Sequence, residues 1–83
     1  MKAQDVLPDD QDVGRFQGVA VRKGTVGAFL ANARVWGDAS AAPAAREQAA
    51  RDMQDALPAL RALGLFNVLQ VRDPALRQWL DAR

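Results

Sequence analysis

The feature that most constrains this chain is a long helical segment between Pro43 and Gly64. Proline fits the first turn of a helix, where its missing amide would have no partner in any case, and glycine readily ends a helix. The apolar side chains between them recur at helical spacing and trace one stripe: Ala45, Ala49, Met53, Ala56, Leu60 and Leu63. The pattern predicts a helix over residues 43–63 with that stripe buried, and the rest of an 83-residue chain must pack around it.

Pro58 is the awkward residue in this predicted helix. Inside a helix, proline removes an amide hydrogen bond and its ring clashes with the preceding turn, which costs about 3 kcal/mol. If Asp55 caps a fresh helix, Pro58 falls in a first turn and most of that cost disappears. We therefore predict either a kink or a restart between Gln54 and Pro58.

A short β-hairpin is predicted over about residues 12–23. Val19 and Val21 alternate with less apolar neighbours, which is the period of a half-buried strand. Gly18 can take the positive φ that a two-residue hairpin turn requires. The first strand, around Val13, is the weaker one because it contains a glycine.

The hairpin leads into a helix predicted over about residues 25–36. Its apolar face at helical spacing consists of Val26, Phe29, Leu30, Ala33 and Trp36. We expect the Thr25 hydroxyl to cap this helix by accepting a hydrogen bond from the amide of Ala28. We expect Gly37 to end it in the left-handed conformation.

The C-terminal part contains one ambiguous segment and one clear helix. Residues 65–71, LFNVLQV, fit a third strand, although a short apolar run also fits a loop or a helical turn. Asp73 and Pro74 form a helix start, so a helix over residues 74–82 is predicted with Leu76, Trp79 and Leu80 facing inward.

These elements predict an α+β fold, in which a small antiparallel sheet is covered on one face by three helices. The sheet contains the hairpin and the possible third strand, and the single domain spans residues 12–83. Residues 1–11 lack periodicity and carry several aspartates, so we expect a disordered or loosely extended acidic leader. That leader has no apolar core of a secretory signal, and no apolar run approaches membrane length. We expect a cytoplasmic protein of bacterial type.

The residue types present disfavour catalysis. The chain contains no histidine, no cysteine and no tyrosine, so the usual base at neutral pH, the usual zinc ligands and the thiol nucleophile are missing. Residues 9–14, DDQDVG, match only part of a calcium-binding loop, because the later ligand positions fall on residues such as Val13 and Ala20. We therefore expect no enzyme activity, no cofactor and no metal.

One short motif, RKGTVG, raises the possibility of an anion site at Arg22, Lys23, Gly24 and Thr25. A helix start offers unpaired amides and a positive dipole end, and two cations precede it. A nucleotide-binding loop would place its lysine after the last glycine, whereas here the lysine comes first. A simple turn from strand to helix explains the same residues.

Two binding functions remain compatible with the sequence. Large aromatic side chains sometimes anchor a partner, so Trp36, Phe66 and Trp79 are candidates for binding another protein or a second copy of the chain. The alternative for these three is that they fill the core. A hairpin followed by helices also fits a small nucleic-acid-binding regulator, although the net charge is only +1. We expect a non-enzymatic protein-interaction module first and a nucleic-acid-binding regulator second.

Two longer stretches carry a family resemblance. VAVRKGTVGAFLANA and DALPALRALGLFNVL together resemble an uncharacterised family of small bacterial proteins, over about residues 13–69. In that pattern a hairpin leads into a helix beginning at GTV, and an LPAL…GLF segment follows a second helix. The resemblance implies the fold predicted above, and it implies no catalytic residues.

Overall fold

The structure, a computed structural model, describes residues 1–7 and 10–83 and joins a small sheet to a set of helices. In chain order the elements are α1 (Ala3–Val6), β1 (Val13–Phe16), β2 (Val19–Arg22), α2 (Thr25–Trp36), α3 (Pro43–Leu63), α4 (Leu65–Val68) and α5 (Pro74–Asp81). The two strands pair antiparallel. The predicted α+β class is therefore confirmed, and the predicted hairpin and the three longer helices lie where their sequence signals put them.

The hairpin has a tight turn and two distinct faces. Gln17 (φ 50°) and Gly18 (φ 79°) both take positive φ, as a type I′ turn requires. Strand pairing sets Gly14 opposite Val21 and Phe16 opposite Val19. These four residues form the inner face, whereas Val13, Arg15, Ala20 and Arg22 are on the outer face: Val13, Arg15, Ala20 and Arg22 are exposed.

α3 runs without interruption through Pro58, so the predicted restart at Asp55 is wrong. The reason is the phase of its buried face: Met53, Leu57 and Leu60 are all buried, and a new helix would rotate the last two away from the first. The buried stripe of α3 also differs in detail from the prediction. Leu57 is buried, whereas Ala45 is exposed.

Both predicted ends of α2 need correction. Thr25 is the first helical residue and not the cap: its hydroxyl donates to the carbonyl of Arg22 (2.6 Å). Gly24, at φ 86°, precedes the helix and its carbonyl accepts from the amide of Ala28 (2.8 Å). Gly37 ends the helix in the right-handed region (φ −84°), because the chain continues into a turn with no reversal. There the amide of Asp38 donates to the carbonyl of Val35 (3.2 Å).

Residues 65–71 do not form a third strand. Gly64 turns the chain at φ 80°, and the amide of Leu69 then donates to the carbonyl of Leu65 (2.9 Å), which closes the single turn of α4. Leu65 and Phe66 both pack against the core although they are adjacent in sequence. A strand would point them to opposite faces, so the helical turn is the conformation that buries both.

The core lies between α2, α3 and α5. Phe29, Met53, Leu57, Leu60 and Leu80 form its buried centre. α5 starts as predicted, because the Asp73 carboxylate accepts from the amide of Leu76 (3.1 Å) and Pro74 occupies the first turn. Leu76, Trp79 and Leu80 face inward as predicted.

The region of the predicted acidic leader contains one helical turn, α1. Asp5 accepts a hydrogen bond from the backbone amide of Lys2 (2.8 Å). Leu7 is half-buried against the hairpin. The part of the leader prediction that falls on Pro8 and Asp9 lies outside the described residues.

Candidate functional site

An apolar groove of about 440 Å³ lies where α1, the hairpin, the first turn of α2 and the end of α3 meet. Aliphatic and aromatic side chains supply most of its wall: Val6, Leu7, Phe16, Val21, Val26 and Leu63. Arg22 and Lys23 supply the charge at its rim. The groove opens to solvent, so it presents apolar surface to other molecules.

The hairpin's inner face builds one wall of this groove because of its strand alternation. Val21 is only 4% exposed and anchors β2 in the domain. Gly14 faces it across the sheet, and Leu7 lies directly over Gly14. A Cβ added at Gly14 would be 2.8 Å from Leu7 Cδ1 and 3.3 Å from Phe16 Cε2. Glycine at this position therefore allows Leu7 to approach the strand closely.

The predicted anion site lies at one edge of the groove. The structure brings Arg22, Lys23, Gly24 and Thr25 together at the junction of β2 and α2, where all four line the groove. The Thr25 hydroxyl donates to the chain itself, to the carbonyl of Arg22. Anion binding at these four residues stays a prediction.

A second cleft, of about 520 Å³, adjoins the same junction. Arg22 and Lys23 line it together with Asp52 and Asp55 of α3. Ala28, Phe29 and Ala56 also contribute to its wall. Charges of both signs thus meet around this cleft, which weakens its attraction for a purely anionic ligand.

The predicted partner-binding aromatics take part in internal packing. Phe66 meets Phe29 edge to face, with ring centroids 6.2 Å apart. Trp36 and Trp79 lie 6.1 Å apart, and the Arg83 guanidinium stacks 3.9 Å from the centroid of the Trp79 ring. All three predicted anchors are partly buried against the core. The structure keeps Phe66 and the two tryptophans outside the groove wall, and a binding role for them stays a prediction.

Sequence reasoning missed the residues that make the groove apolar. It placed Val26 and Leu30 on the buried face of α2, whereas Val26 is 37% and Leu30 54% exposed. One signal was available: α2 carries a single charged residue, Arg34, and more apolar side chains than one contact face can cover. A helix of that composition leaves part of its apolar surface for another contact.

The only resolved shift of a carboxyl group lies away from the groove, at Asp38. Hydrogen bonds from the Ser40 hydroxyl (2.6 Å) and the Ser40 amide (2.9 Å) lower the pKa of Asp38 below its usual value of 3.8. Within residues 1–7 and 10–83, no group of three or more acids, histidines or cysteines is placed to hold a metal ion. In the same part of the chain no helix is long and apolar enough to cross a bilayer.

No family model matches this chain, and neither the curated proteins nor the solved structures include a match. The resemblance to small bacterial proteins therefore stays untested.

Proposed function

We propose that this chain is a non-enzymatic protein-interaction module that binds a segment of another polypeptide in the apolar groove. Chemistry of the residues supports the non-enzymatic part, since the chain lacks the side chains that most often act as base or thiol nucleophile. A cytoplasmic location and a bacterial origin belong to the same proposal.

The groove itself is the observation that carries this proposal. Phe16, Val21 and Leu63 form apolar walls, and the basic rim at Arg22 and Lys23 adds a means of orienting a bound chain. Apolar contact area supplies affinity, and charges at the rim of an interface favour one orientation and one class of partner. Leu30, one turn beyond Val26 on α2, extends the apolar surface beside the groove.

Site-specific photo-crosslinking in native cells tests the proposal. A photoreactive amino acid at Val26 lies in the groove wall, and the same amino acid at the exposed Ala44 is the matched control. Ala44 is in the first turn of α3, roughly 30 Å along that helix from Leu63. We expect an adduct to a discrete polypeptide from Val26 that Ala44 does not form.

The supporting result also requires that the crosslinked polypeptide, once purified, binds the unmodified chain. A Leu63→Asp variant should weaken that binding at least tenfold, because it places a charge in the apolar wall. Identical adduct patterns from Val26 and Ala44, or no adduct from Val26, would overturn the proposal.

A nucleic-acid-binding regulator is the second candidate, and the hairpin register favours it. Arg15 and Arg22 share the outer, exposed face of the hairpin. Such a basic ribbon suits a phosphate backbone, although Asp52 and Asp55 beside Arg22 oppose that binding.

Fluorescence anisotropy with duplex DNA at low salt tests this second candidate. The double variant Arg15→Gln/Arg22→Gln should weaken any specific contact and reduce the dependence of the binding constant on salt by up to about two phosphate contacts. An Arg77→Gln variant, in α5, is the control for net charge. Absence of binding at low salt excludes this function.

A further inference from the structure

We propose that the segment carrying Val6 and Leu7 is an internal occupant of the groove, and that the groove's external partner is an extended segment with the same chemistry. That chemistry is a pair of aliphatic residues followed by aspartate or glutamate. The inference rests on the proposed function, because it names the kind of partner that the groove takes and how the chain competes with it.

The contacts of Leu7 support its role as occupant. Leu7 is half-buried and, with Val6, contributes to the groove wall opposite Val26 and Leu63. Its Cδ1 atom lies so close to Gly14 that a methyl group there would come within 2.8 Å. Such an approach is closer than normal packing allows for any residue with a Cβ. The groove therefore already holds one aliphatic side chain from a segment that belongs to no strand and to no long helix.

Charge gives the partner its second property. The groove rim carries Arg22 and Lys23. In the sequence, the aliphatic pair Val6-Leu7 is followed by Asp9, Asp10 and Asp12. Opposite charges on a bound segment and on the rim of its groove strengthen the encounter and fix its direction. An external segment of the same pattern fits both the apolar wall and the rim.

An internal occupant lowers the apparent affinity of the groove for an external one. A tethered segment acts at an effective concentration in the millimolar range, so even weak contacts keep it bound much of the time. If it occupies the groove about nine-tenths of the time, the apparent Kd of an external segment rises about tenfold. Removing the internal contact should therefore reveal the full affinity.

Binding of a fluorescent peptide to the full chain tests this inference. The probe copies residues 2–12, KAQDVLPDDQD. Its anisotropy is measured with the wild-type chain and with the variants Leu7→Ser and Gly14→Ala. Leu7→Ser removes the aliphatic contact, whereas Gly14→Ala displaces Leu7 by adding a methyl group and leaves the segment's own sequence intact. Circular dichroism verifies that each variant is folded.

We expect the Leu7→Ser chain to bind the probe about tenfold more tightly than the wild type. Two control peptides separate the two chemical requirements. A peptide with serine at both aliphatic positions should lose binding, and one with asparagine in place of the last three aspartates should bind more weakly and with less dependence on salt. Gly14→Ala should also increase affinity, provided that the methyl group leaves room for the peptide.

Equal affinity of the wild-type chain and the Leu7→Ser chain would overturn the internal occupancy. Equal binding of the serine peptide or the asparagine peptide would overturn the proposed partner chemistry. If none of the peptides binds while Val26 still forms a specific adduct in cells, the partner chemistry is wrong and the interaction function stands. If the peptides fail and Val26 forms no adduct either, both proposals fall.

Discussion

At the scale of single residues, backbone conformation decides where this chain can turn. Gly64 takes φ 80° between α3 and α4, and its amide donates to the carbonyls of Arg61 and Leu60 at the end of α3. A Cβ at this position would meet only Asn67 Nδ2, at 3.7 Å, so space is available and the constraint is conformational. Gly27, in contrast, lies inside α2 without positive φ, and a Cβ there would meet nothing within 4 Å.

These two glycines predict opposite effects of one substitution. Gly64→Ala should reduce the free energy of unfolding by about 1–2 kcal/mol, because a residue with a Cβ is strained at positive φ. Gly27→Ala should increase it by about 0.5–1 kcal/mol, because alanine is the better helix former. Urea denaturation of both variants measures the pair. Equal effects of the two changes would contradict this account.

The Asp38–Ser40 turn predicts a measurable pKa. Ser40→Ala removes the hydroxyl donor, which is the largest cause of the lowered pKa, so the pKa of Asp38 should rise towards 3.8. The amide bond from Ser40 remains, so the rise should be incomplete. Because the folded pKa is depressed, this contribution to stability is present above the ordinary pKa and is lost as the pH falls through the folded value. NMR titration of the carboxyl carbon measures the pKa, and an unchanged value would contradict the assignment.

At the scale of elements, α3 shows how packing overrides a local signal. Pro58 is exposed and its ring position disfavours a helix, yet the helix continues because Leu57 and Leu60 on either side are buried. Pro43, in the first turn of the same helix, satisfies its local preference. One helix thus contains a proline in an unfavourable position and another in a favourable one.

The two prolines predict a second matched comparison. Pro58→Ala should stabilise the protein by about 1–3 kcal/mol, because it restores an amide donor in the helix interior and loses little packing. Pro43→Ala should be neutral or destabilising by up to about 1 kcal/mol, because the unfolded chain gains freedom and no hydrogen bond is recovered. Thermal and urea unfolding measure both variants. A loss of stability in Pro58→Ala would mean that packing requires the proline's local geometry.

At the scale of the whole molecule, a small core holds several elements together. Leu60 of α3 is 0% exposed and belongs to the cluster that joins α2, α3 and α5. A chain of this length buries only about 60% of its unfolded surface, so each core side chain carries a large share of the stability. Leu30, on the solvent side of α2, contributes little to that core.

Two leucine substitutions therefore should differ widely. Leu60→Ala should cost about 2–5 kcal/mol, enough to unfold a large share of a marginally stable domain. Leu30→Ala should change the free energy of unfolding by less than about 0.5 kcal/mol. Chemical denaturation measures the difference. A comparable loss in both variants would show that Leu30 is buried in solution, for instance in a self-associated form, which light scattering would detect.

The sequence determined the elements whose signals are local. The hairpin turn at Gly18, the start of α5 at Asp73 and Pro74 and the end of α3 at Gly64 depend on φ preferences and caps within a few residues, so they were predictable. The packing of the hairpin against the helices, the continuity of α3 through Pro58 and the turn of α4 depend on burial shared between distant segments, which only the tertiary structure decides. The groove belongs to the second group: Leu7, Val26 and Leu63 become one surface only after the hairpin, α2 and α3 have come together.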